Sequence, residues 1–156
     1  MELINFLRLN VPGCDGVSDR GDGTYRLDFG DVTRDATEAE ILAARRSSVW
    51  EQIKTERDRR QRAQGYVAGG KRFHSDDSSR IQQLGLVMLG SNIPPDLQWK
   101  TMDGSFVTMT PALAQAVFAA AAISDIALFG FAEQLRAQAN ASSDPESIDI
   151  TTGWPE

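Results

Sequence analysis

The chain is short of the residues that carry most metal and nucleophilic chemistry, with one cysteine, Cys14, and one histidine, His74. A lone thiol excludes an intrachain disulfide and a four-thiolate zinc site, and it suits folding in a reducing compartment. A lone imidazole puts the usual nitrogen-rich zinc sets out of reach. No Gly-x-Ser-x-Gly turn is present, and no Lys-Ser or Lys-Thr pair follows a glycine-rich loop at the phosphate-loop spacing. There is no repeat at a solenoid period and no low-complexity tract. Neither a cofactor nor a metal is expected.

Charge of one sign is also lacking. The 16 basic against 22 acidic residues give a net charge of -6, which opposes nonspecific attraction to nucleic acid or an anionic membrane. The longest weakly charged run, residues 112–132, contains Gln115, Ser124, Asp125 and Gly130. Asp125 near its centre would cost about 2.5 to 3.5 kcal/mol on insertion scales, so a membrane span is not expected. The apolar start, residues 1–11, is broken by Glu2 and Arg8 and lacks a small-residue cleavage site, so no secretion signal is expected.

What remains is a chain long enough for one ordinary domain and punctuated by strong local signals. The first 36 residues read as a small β unit: Leu7, Leu9 and Val11 alternate with polar neighbours, as do Tyr25, Leu27 and Phe29. Two short strands follow from that pattern, separated by a turn-rich stretch from Pro12 to Gly23. Because an isolated hairpin is marginal in water, this unit needs support from the remainder, residues 37–156, or from a partner.

Thr37 with Glu40 has the capping-box spacing and opens a helix reaching about Gln64. Its apolar positions are Ile41, Leu42, Val49, Trp50 and Ile53, and Gly65 can end it. Gly69-Gly70 and Asp103-Gly104 are hairpin turn signals, each between short strand-favouring segments. Ser75 or Asp76 caps an intervening helix through Ile81, Leu84, Val87 and Met88, stopped at Gly90 and Pro94-Pro95. Thr110-Pro111 opens the longest helix, reaching about Ala139 and apolar almost all round, which predicts that either this domain wraps it or a second chain covers what the domain leaves exposed. The fold class expected is therefore α+β, with helices, short hairpins, a long C-terminal helix and a small N-terminal β unit.

Each cluster that could carry chemistry also has a plain structural reading. His74 through Ser79 crowds an imidazole, hydroxyls and carboxylates, but sequence neighbours seldom form a triad, and capping chemistry accounts for them. Asp15, Asp19 and Asp22 match no EF-hand loop and read as an acidic turn. Arg20-Gly21-Asp22 spells an adhesion tripeptide but reads as part of that turn. Arg45, Arg46, Lys54, Arg57, Arg59, Arg60 and Arg62 make the first long helix basic, with Glu51, Glu56 and Asp58 spaced to pair with them. Trp50, Trp99, Trp154, Phe73 and Phe106 read as core aromatics that staple layers together.

Several of these pieces recur in one order: Trp50 to Asp58, Phe73-His74-Ser75-Asp76 leading to Ser79-Arg80-Ile81-Gln82, and Trp99 to Gly104. Thr110, Leu113, the alanine-rich helix and Gly153-Trp154-Pro155 complete it. From about Ser48 to Glu156 the chain resembles an uncharacterised domain family of tailed-phage and prophage proteins found beside tail-fibre or tail-assembly genes. The resemblance implies a non-enzymatic tail accessory protein, either a structural part of the fibre region or a fibre-assembly factor. It would reside in the virion tail, and in the host cytoplasm during assembly. The partners implied are other tail or tail-fibre proteins, with a homotrimer or a trimeric fibre as the arrangement. No nucleic acid or membrane partner is expected. The contacting residues expected are Leu7, Leu9, Val11, Phe118, Ile123, Ile126, Phe129 and Trp154. The alternative is a hydrolase of host cell-surface polymer using His74 and nearby acids.

Overall fold

The computed structural model describes residues 2–156 and has the α+β character expected, with four α-helices, one three-stranded antiparallel sheet and two β-hairpins. Contacts divide it into two compact units. One unit comprises the residues up to Lys54 with Glu133–Ile150, and the other Thr55–Ala132 with Thr151–Glu156. The division does not fall at residue 36. The N-terminal sheet shares its unit with the first half of the second helix and the last part of the fourth.

The first unit begins with a correction. Residues Leu3–Asn10 form a helix, α1, where alternation predicted a strand. Leu3, Phe6 and Leu7 have helical spacing, and Phe6 and Leu7 are buried while Leu9 is 75% exposed, the reverse of what a Leu7-Leu9-Val11 strand face requires. The Asn10 side-chain amide donates to the Phe6 carbonyl at 2.8 Å and closes the last turn. Pro12 and Gly13 then prevent continuation.

Strands β1 (Gly16–Asp19), β2 (Tyr25–Phe29) and β3 (Val32–Asp35) follow, with β2 central and Val17, Leu27 and Arg34 in register. Only β2 was predicted among these strands. Leu27 is fully buried with Val11 and Cys14, while Phe6, Leu7 and Ala44 form a second small cluster. Helix α2 (Glu38–Ala63) starts with the predicted capping box: the Glu40 carboxylate accepts from the Thr37 amide at 2.8 Å, and the Glu40 amide donates to the Thr37 hydroxyl at 3.2 Å.

In the second unit, β4 (Tyr66–Ala68) and β5 (Lys71–Phe73) pair across Gly69-Gly70, whose positive φ values of 56° and 75° match a mirror-image turn. Gly65 is required for another reason, because a Cβ there would lie 2.4 Å from the Phe73 carbonyl oxygen. Asp76 caps α3 (Asp77–Leu89), accepting from the Ser79 amide at 3.0 Å. Strands β6 (Gln98–Lys100) and β7 (Phe106–Thr108) pair across a wider turn than a two-residue Asp-Gly connection, because the Asp103 carboxylate gathers Thr101 and Ser105 around it.

Helix α4 (Pro111–Ala141) opens with the Thr110 hydroxyl accepting from the Leu113 amide at 3.1 Å. The core of this unit joins Tyr66, Phe73, Leu86, Ile93 and Met109 to Ala114, Val117 and Ala121 of α4. Trp154 is also buried, its ring 4.9 Å from that of Phe131. Phe106, predicted as core, is 63% exposed.

Candidate functional site

Of the two covers expected for α4, its own domain supplies only part. Its buried residues within this unit, Ala114, Val117, Ala121, Leu128 and Ala132, occupy one side. Phe118, Ala119, Ala122, Ile123, Ile126 and Phe129 are exposed and fall within an arc of about 140° at the helical repeat. Ile123 is 68% and Ile126 73% exposed. By length and composition α4 could cross a membrane, and 22% of its most apolar window is buried in the chain. A strip this apolar and contiguous on a folded chain marks a binding surface more often than scattered exposed leucines do.

The strip carries no charge. From Pro111 to Ala132 the only ionisable side chain is Asp125, and it is engaged within its own unit. Arg80 of α3 grips it through two bonds, of 2.8 and 2.9 Å, and Gln61 of α2 donates to it at 3.0 Å. The Arg80 guanidinium also lies 5.6 Å from the centroid of the Tyr66 ring. Tyr66 in turn donates its hydroxyl to Gln83, whose amide donates to the His74 carbonyl. Burial raises the pKa of the Tyr66 phenol, keeping it a donor. Asp125 is thus the polar key that orients α4 against α3, which explains a carboxylate in the middle of an apolar helix.

At one edge of the strip the Arg57 guanidinium sits 4.2 Å from the Phe129 ring centroid, bound also to Asp58 at 2.6 Å. At the other edge a hollow of about 280 Å³ opens between Tyr66 and Val67 of β4 and Ala120, Ile123 and Ala127 of α4, with Arg72, Ser124 and Glu156 also lining it. Val67 is itself exposed.

The eight residues predicted as contacts separate into two groups. Phe118, Ile123, Ile126 and Phe129 share the exposed face, and Leu9 is exposed on α1. Leu7, Val11 and Trp154 are buried by their own chain, so they are corrected to core residues. Their apolar character was legible. What covers them was not, because Leu7 and Val11 are covered by segments distant in sequence.

Most polar side chains of the clusters singled out for chemistry are engaged in caps and turns. The Asp76 carboxylate receives the Ser79 amide and the Ser78 and Ser79 hydroxyls, at 3.0, 2.8 and 2.7 Å. These bonds hold its pKa well below the ordinary carboxylate range. The His74 imidazole has no hydrogen-bond partner among the described residues, and His74 contributes its backbone carbonyl to Gln83. Asp19 and Asp22 accept from the turn amides of Gly21 and Thr24. Among the described residues no three of His, Cys, Asp and Glu converge as metal ligands do. Arg20 of the Arg-Gly-Asp turn is paired with Asp35 at 2.5 Å.

The cations of α2 are matched by acids: Lys54 to Glu51 at 2.6 Å, Arg59 and Arg60 to Glu56 at 2.7 and 2.6 Å, and Arg62 to Asp77 at 3.7 Å. Arg59 and then Arg60 draw the Glu56 pKa down to about 2. A cluster not foreseen joins the two hairpins: the Lys71 ammonium donates to Asp103 and to the Ser105 hydroxyl, both at 2.9 Å. Serine beside lysine can form a nucleophile and base, but this ammonium is paired with a carboxylate whose pKa is well depressed, led by its bonds from Ser105 and Thr101. It acts as a clasp.

Comparison with curated proteins and with solved structures returned no match. A family model matches residues 44–152, more than half of the chain and including the whole of α3, both hairpins and α4. The chain belongs to that family, DUF4376, a domain of unknown function.

Proposed function

We propose that this protein is a non-enzymatic bacteriophage tail accessory protein that binds a tail or tail-fibre protein through the exposed face of α4. The observation that carries the reading is the uncharged strip of Phe118, Ile123, Ile126 and Phe129, left open while its single carboxylate is held by Arg80. The resemblance of residues 48–156 to a tail-associated phage domain supplies the setting. The occupant is an apolar helix or strand of the fibre protein, in keeping with an interface core depleted in charge. The hollow beside Ile123 receives one of its side chains. A fibre trimer would present equivalent copies of that segment. The protein acts in the virion tail, and in the host cytoplasm while tails assemble, with neither cofactor nor catalysis.

Co-expression with the tail-fibre protein of the same phage, followed by light scattering of the purified complex, tests the reading. The natural chain should form a complex that survives moderate salt. Ile126→Glu, which alters an exposed position, should weaken that complex by about a hundredfold without lowering thermal stability. No complex with any tail protein, or an Ile126→Glu chain that binds as well as the natural one, overturns it.

A further inference from the structure

The first unit contains a surface hollow of about 220 Å³ whose chemistry differs from that of the α4 strip. Asn10 of α1, Arg46, Ser47 and Trp50 of α2, and Arg136 and Asn140 of α4 line it. Two arginines line one small space, and no lining residue among those described is acidic. For a chain of net charge -6 that is an unusual concentration of positive charge.

Both guanidinium groups are pre-positioned. Arg136 lies 4.7 Å from the Trp50 ring centroid, and Lys54 lies 5.7 Å from the same centroid. A guanidinium stacked on an indole keeps its N–H edges free for a planar acceptor, the geometry that favours bidentate carboxylate. Among the described residues Arg136 pairs with Glu133, at 3.5 Å, and both side chains are about half exposed. Arg46 is fixed by a 2.9 Å bond from its terminal nitrogen to the Ser142 carbonyl, while its buried Nε has no acceptor among the described residues. An orphaned buried N–H on a charged group leaves positive potential that an anion in the adjacent hollow would offset. The Asn140 amide, also without a partner among the described residues, supplies a further donor at the rim.

A neighbouring hollow sharpens the contrast. Arg45 lines a space of about 410 Å³ and its Nε likewise lacks a hydrogen bond, but Glu38 lines that space and Glu146 pairs with Arg45 at 3.4 Å. There a carboxylate, Glu38, lines the space itself; among the described residues none lines the hollow beside Arg46 and Arg136, and Glu133, which meets Arg136 at 3.5 Å, is not part of its lining.

We infer that the Arg46–Trp50–Arg136 hollow binds a carboxylate, carried either by an acidic peptide segment or by a small polycarboxylic acid. Both sources share the planar anion that a stacked guanidinium recognises. The inference does not depend on the tail reading, because the strip proposed for fibre contact lies in the other unit.

The test uses the full chain, labelled with nitrogen-15, titrated in turn with a hexaglutamate peptide, citrate, inorganic phosphate and sodium chloride at matched ionic strength. With the peptide or with citrate, the Trp50 indole and the Arg46 and Arg136 Nε–H resonances should move together and saturate. Saturation at lower concentration with the peptide identifies a peptide ligand, and with citrate a small acid. Arg136→Gln should weaken the interaction by about tenfold or more, and Asn140→Leu, at the rim, should weaken it less. Arg59→Gln, on the other unit's surface, should leave it unchanged. The inference is overturned if neither carboxylate moves these resonances, if chloride or phosphate moves them as far, or if a folded Arg136→Gln chain binds as tightly.

Discussion

The two units bury their apolar side chains in different ways. The first holds small clusters, Phe6 with Leu7 and Ala44, and Val11 with Cys14 and Leu27, buries Val49, Ile53, Leu135 and Ala139 on its two long helices, and adds polar ties such as Arg34 with Glu40 and Arg46 with the Ser142 carbonyl. The second gathers Tyr66, Phe73, Leu86, Met109 and Val117 into one larger core, yet leaves Ile123 and Ile126 in solvent. The unit that holds the larger of these clusters therefore carries the more exposed apolar face. The α4 strip is open because Asp125 and Arg80 fix which side of the helix turns inward.

Truncating each core is the largest way to break the comparison. Phe73→Ala, at a fully buried position in the second unit, should cost about 3 to 5 kcal/mol in urea unfolding. Leu27→Ala in the first unit should cost about 2 to 3 kcal/mol, at the low end of its class, because a small cluster beside solvent collapses more readily. Equal losses would remove the distinction between the units. Next in size, Arg80→Ala should cost about 2 kcal/mol, less than a fully buried pair, because both partners retain roughly a quarter of their exposure. A double-mutant cycle with Asp125→Ala should show coupling, and additive losses would mean that the pair does not orient α4.

The caps give smaller effects, and they compare one helix start from each unit. Asp76→Ala should cost about 1 kcal/mol, by thermal melting, through loss of the bond from the Ser79 amide. In the first unit, Arg34 and then the Thr37 amide hold the Glu40 carboxyl down to about 2 from an ordinary 4.5. The folded value lies below the unfolded one, so this contribution is complete above about pH 4.5 and disappears as pH falls toward 2. Acid unfolding of Glu40→Gln should show a shallower loss of stability across that window, and an unchanged slope would remove Glu40 from the account.

Elements defined by local chemistry were legible in the sequence. Thr37 with Glu40, Asp76, Thr110-Pro111 and Gly69-Gly70 each act within a few residues, and each does in the structure what its spacing indicates. Helix α1 was misread because Leu7, Leu9 and Val11 satisfy a period of two while Leu3, Phe6 and Leu7 satisfy the helical period, and only burial decides between them. Strand β3 was missed because all four of its residues are exposed, leaving no alternation to detect. The greasy character of α4 was plain, but not which side would be covered; that depends on Arg80, 45 residues away from Asp125 in sequence. The Arg46–Arg136 hollow joins three helices and has no local signature.

The most direct test of the central claim is thiol labelling at position 126. An Ile126→Cys chain has one exposed thiol, since native Cys14 is buried. Labelling should be fast on the free protein and, if the proposed fibre contact covers α4, strongly slowed in purified tails. Equal labelling in both states, or tails that lack the protein, would contradict the account.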